Sequence, residues 1–262
     1  MKLDRIVVGM TLFTLYSSVV LAQDWIPPDS PDPQVILQEA QADARAKRYK
    51  IALAKHVWFH ENALEIEPSL SGVRLSFALS DWKRLGKDYP PAMEKLRQIR
   101  DELATQAELG KDVDGGFHDF AAINSTVGED SKTTEVFKIL VAKNPQAAKK
   151  AFLFAKPALI KDKEYTLYVK YVDAKKDYLN TKQMYETNMR LAKDPKFGSS
   201  LLNHAKMSFR NETATLVAIL SVNDRKIEAS EIATLAKKEL DDAEFHKELE
   251  TALAGNVPVP WP

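Results

Sequence analysis

The sequence predicts an all-α protein, and three observations carry that reading. From residue 34 to residue 254 the chain is a succession of segments rich in helix formers, separated by short links containing Pro, Gly, Asn or Asp. It nowhere shows the sustained period-two alternation with turn dipeptides that a sheet requires. Tyr171, Tyr178 and Tyr185 recur every seven residues, which places them on one side of a single helix as a buried ridge. Helices joined by short links form either a closed bundle or an open stack of hairpins.

The elements follow in chain order. Lys2 and Arg5 precede an uncharged, apolar stretch from Ile6 to Ala22, and Gln23-Asp24-Trp25 turns polar at once, so residues 1–22 read as a signal peptide cleaved after Ala22. The mature chain is then expected outside the cytoplasm, periplasmic or secreted, without a stable membrane span. Residues 23–33 form a leader whose four prolines block helix and sheet pairing. The helix-favouring run 35–67 is interrupted at Lys47-Arg48-Tyr49 and stopped by Pro68, which predicts two antiparallel helices. A helix over 70–87 and a second over 92–109 follow, hinged at Pro90-Pro91 and ended by Gly110. Lys111-Asp112-Val113-Asp114-Gly115-Gly116 starts like a calcium loop but lacks the next oxygen ligand, and is read as a flexible loop. Asp130-Ser131 and Asn144-Pro145 each cap a helix, and Pro157 begins or kinks another. One long helix is expected over 163–192, then two last ones over 199–222 and 229–254, with a proline tail at 255–262. Residues 34–110 and 111–254 are thus two runs of helical hairpins.

Composition excludes much chemistry. The 262 residues carry 37 basic and 37 acidic side chains, so no overall field attracts a nucleic acid. With no Cys there is no disulfide, thiol nucleophile, iron–sulfur cluster or thiolate zinc site. No serine sits in a nucleophile elbow and no Gly-rich loop cradles a phosphate. Lysines between 143 and 176, Lys156 among them, alternate with Phe152, Phe154, Tyr165, Tyr168 and Tyr171; in a neutral chain this reads as solvated helix faces.

Trp82-Lys83-Arg84-Leu85-Gly86-Lys87-Asp88-Tyr89 matches the W-x2-L-G-x2-Y signature of a tetratricopeptide repeat, and Arg48 to Leu53 with Ala63 to Pro68 resemble the opening and close of another repeat. The interval between Ala52 and Ala63 is longer than the repeat's by about one helical turn. The chain therefore resembles a lengthened, degenerate tetratricopeptide-like protein over its amino-terminal side. The strings Trp58-Phe59-His60-Glu61-Asn62 and Gly72-Val73-Arg74-Leu75-Ser76 also resemble those of secreted bacterial proteins, a likeness that implies no activity. The repeat resemblance implies an α-solenoid of stacked antiparallel hairpins whose concave face binds a protein or peptide, with no catalysis and no cofactor.

His56 and His60 are four apart on a predicted helix, so their rings share a face and could ligate a metal; the zincin order H-E-x-x-H is absent. Arg74, Asp81 and Trp82 come near them if the first hairpins are neighbours, which would make a recognition patch of guanidinium, carboxylate, imidazole and indole. The expected function is a non-enzymatic interaction scaffold binding through His56, His60, Arg74, Asp81 and Trp82. The alternative is a helical metal-binding protein or metal-dependent enzyme centred on His56 and His60. A self-associating envelope protein is a third reading.

Overall fold

The computed structural model describes residues 25–194 and 196–260; the expected signal peptide and its cleavage point lie outside the described residues. Among the described residues there are thirteen α-helices, one short 3-10 turn and no strand, so the chain is all-α. No helix there is long and apolar enough to cross a membrane.

Helices α1 (Pro33–Arg45) and α2 (Tyr49–Ile66) are the antiparallel pair that the 35–67 run predicts. Asp32 caps α1 by accepting from the backbone N–H groups of Gln34 and Val35, with Pro33 where its missing N–H costs nothing. Lys47 takes a left-handed conformation, φ 61°, to turn the chain between them. The helix expected over 70–87 is instead broken. After the 3-10 turn at Pro68–Leu70 come α3 (Ser71–Arg74) and α4 (Phe77–Asp88), parted at Ser76, whose ψ of −86° lies outside the helical range. Ser76 Oγ donates to the Gly72 carbonyl, the local competition by which serine ends a helix. α5 (Pro90–Glu108) pairs with α4, and Gly86 lets them approach: a Cβ there would lie 3.0–3.3 Å from atoms of Met93. Trp82 and Leu85 point inward, and Tyr89 stacks on Tyr49 of α2.

The stretch after the Lys111 loop holds a helix that composition did not signal, α6 (Gly116–Val127), ended by Gly128 at φ 82°. α7 (Asp130–Lys143) and α8 (Pro145–Lys161) follow, the latter capped by Asn144. Pro157 neither begins nor ends a helix; it sits inside α8. The long helix expected over 163–192 is two, α9 (Tyr165–Val169) and α10 (Ala174–Leu191), because Asp173 caps α10 through the Lys176 N–H. The single tyrosine ridge is corrected accordingly: Tyr178 and Tyr185 pack on Phe209, whereas Tyr171 packs on Phe137 and Phe152. α11 (Gly198–Val222) matches its expectation. The run 229–254 is again divided, into α12 (Lys226–Glu239) and α13 (Ala243–Leu253), at an Asp242 cap that accepts from Phe245.

Contacts follow chain order. α2, α4, α6, α8, α9, α11 and α13 touch in succession, while α5 packs on α7 and α10 on α12. The apolar interior is correspondingly divided into three clusters, around Phe59 and Ala63, around Trp82 and Leu96, and around Phe137, Phe209 and Phe245. Buried ion pairs cross these layers. Arg100 of α5, 3% exposed, donates to Asp101, to Glu129 and to Asn124 of α6, whose amide in turn donates to Thr133 of α7.

Candidate functional site

Four of the five residues singled out in the sequence, His56, His60, Arg74 and Trp82, come together, but inside the protein. His56, His60, Arg74 and Trp82 are all buried, and Asp81 is half-buried. Trp82, 1% exposed, is the centre. The His56 ring stacks on it at 5.8 Å, the His60 ring meets it edge-on at 6.0 Å, and its Nε1–H donates to the Ala92 carbonyl at 2.8 Å. The patch expected at a surface is therefore an interior seam between α2, α4 and α5. Truncation of Trp82 to Ala should cost about 3–5 kcal/mol, the usual effect of emptying a large aromatic site, read as a lowered urea midpoint.

Arg74 is held by a residue the sequence reading missed. Its Nη1 and Nη2 donate to the two carboxylate oxygens of Asp119 at 2.8 and 2.6 Å, and Nη1 also reaches the His60 carbonyl at 3.2 Å. This bidentate pair ties α3 to α6 across 45 positions of sequence. Asp81 turns to the other side, accepting from Gln41 of α1 at 2.6 Å and from Arg84 at 2.9 Å. Both carboxylates are thus consumed in joining helices.

Burial pushes the His56 imidazole down to about 4 despite the opposing charge of Asp81. Burial, with the Arg74 charge adding to it, does the same to His60, also to about 4. Both rings are neutral at pH 7, the form that ligates metals, but among the described residues there is no group of three His, Cys, Asp or Glu side chains placed to hold an ion.

The open space lies elsewhere. Beside the five-residue α9 is a groove of about 630 Å³, lined also by α8, α10 and α11 and within the ordinary range for ligand sites. Tyr168 of α9 lies in it, buried, with burial and the nearby Asp177 and Glu212 charges raising its phenol well above the usual range, so the hydroxyl stays protonated. Leu153 of α8 and Met184 of α10 stand on the groove 64% and 60% exposed, which marks an apolar surface without a cover. Lys156 pairs with Asp177 at 2.8 Å, and the Glu212 carboxylate accepts from the Ser208 and Thr181 hydroxyls. Lys156 also lies over the Phe152 and Tyr168 rings, so part of the basic-aromatic strip read as solvated faces is packed.

No family model, curated protein or solved structure matches the chain.

Proposed function

We propose that this protein is a non-enzymatic interaction scaffold, working outside the cytoplasm, in which tetratricopeptide-like hairpins stack as an open α-solenoid and bind an extended peptide or protein segment. The observation that carries the reading is the groove over α9, with Leu153 and Met184 exposed on a largely apolar lining that also holds the Lys156–Asp177 pair and the Glu212 carboxylate. The stacked arrangement is supported by helices that touch in chain order, as expected where each hairpin packs on its neighbours. The extracytoplasmic address rests on the charged start and apolar stretch of residues 1–22.

The test is selection from a displayed library of random dodecapeptides on the immobilised protein. Recovered peptides are expected to bind saturably and to lose at least tenfold in affinity to a Leu153→Glu/Met184→Glu double variant, with its thermal midpoint nearly unchanged because both sites are exposed. Failure to recover any saturable peptide, or binding indifferent to the double substitution, contradicts the proposal.

A further inference from the structure

The chain approaches this groove with one of its own segments. α13 ends at Leu253, and Gly255 just beyond it takes φ 90°, a conformation that favours glycine, where the backbone leaves helical structure. The following Val257-Pro258-Val259-Pro260 cannot continue a helix, since each proline lacks an N–H and fixes φ. Val257 packs against the carboxy-terminal core, and the Val259 carbonyl accepts from Asn211 Nδ2 at 2.8 Å. Asn211 itself lines the groove, and Pro260 forms part of the same wall. The tail thus crosses α11 and arrives at the groove, and the sequence there continues into Trp261 and Pro262.

Chemistry matches on both sides. Residues 255–262 carry no charged side chain. In the groove Lys156 and Asp177 pair with each other, while Glu212 accepts from the Thr181 and Ser208 hydroxyls and keeps its negative charge, which would repel an acidic occupant. An uncharged proline-alternating segment would lose little conformational entropy on docking, because its extended form is pre-set.

We propose that the tail, anchored by Val257 on the core and by Pro260 on the groove's wall, occupies the groove over α9 with the residues that follow Pro260, so that it competes with any external peptide. The inference rests on the peptide-binding reading above and names the groove's ligand class: a neutral, proline-alternating segment bearing a large aromatic side chain. Tethering raises the tail's effective concentration to about the millimolar range, enough to outcompete a weak free peptide.

The probe is a fluorescein-labelled synthetic hexapeptide of sequence VPVPWP, followed by anisotropy against the full chain and against a chain ending at Asn256. The shortened chain, checked for unchanged helical circular dichroism, should bind the probe saturably, and the full chain at least tenfold more weakly. Leu153→Glu in the shortened chain should weaken binding about tenfold. Equal binding to both chains, or none to the folded shortened chain, overturns the inference. So does a concentration-dependent dimer of the full chain that the shortening abolishes, since the tail would then dock on a second copy. Should library peptides still bind at Leu153 and Met184 while VPVPWP does not, the tail proposal fails and the peptide-binding reading stands.

Discussion

Replacing Asp119 by Ala is expected to lower stability by about 3–5 kcal/mol, because it leaves the buried Arg74 guanidinium without its counter-ion. Arg74 side chain and Asp119 side chain are 10% and 15% exposed, so water replaces little of what is lost. Asp119→Asn keeps one acceptor and should cost less. The double variant Arg74→Met/Asp119→Leu removes the desolvated charges together and should recover most of the loss. Urea unfolding of the four proteins measures these differences. If Asp119→Ala unfolds within 1 kcal/mol of the parent, the pair is not the joint between α3 and α6 that its geometry indicates.

The second large effect is a loss of stability in mild acid. His56 and His60 have folded-state pKa values near 4 against an unfolded value near 6.5. Their folded forms therefore hold fewer protons than the unfolded chain across that interval. Stability is complete above pH 6.5 and falls as pH drops towards 4, by up to about 3 kcal/mol for each ring. His56 Nδ1 is buried without a hydrogen-bond partner, so His56→Leu should cost little at pH 7 and should flatten the decline between pH 6.5 and 4.5. Urea midpoints at several pH values read this directly. A parent protein equally stable at pH 7 and pH 4.5 would show that the two imidazoles are hydrated rather than buried against Trp82.

Helical content and several boundaries were legible in the sequence, because they depend on local signals. The Pro68 stop, the Pro90 start of α5 and the Asn144 cap of α8 are chemistry within one turn of the helix end. The breaks at Ser76, Asp173 and Asp242 were not read. Each lies in a run whose neighbours favour helix, and only the folded geometry shows that Asp173 and Asp242 cap the next helix while the Ser76 hydroxyl turns back to the Gly72 carbonyl. The cluster of His56, His60, Arg74 and Trp82 was foreseen from helical spacing, but its burial was not, because spacing shows which residues share a face and not what covers that face. Asp119 escaped notice since its partner is 45 positions away. The groove was hidden for a related reason: its lining residues come from α8, α9, α10, α11 and Pro260, a set that spacing along the chain does not bring together.

Hydrogen-exchange mass spectrometry separates the groove from the buried histidine cluster as the working surface. The full chain would be compared alone and saturated with a peptide recovered from the display selection. Slowed exchange is expected in α8 around Leu153 to Ile160, in α10 around Asp177 to Met184 and in α11 around His204 to Leu216, with α2 and α4 unchanged. Protection confined to α2 and α4, around His60 and Trp82, would contradict a function carried by the groove.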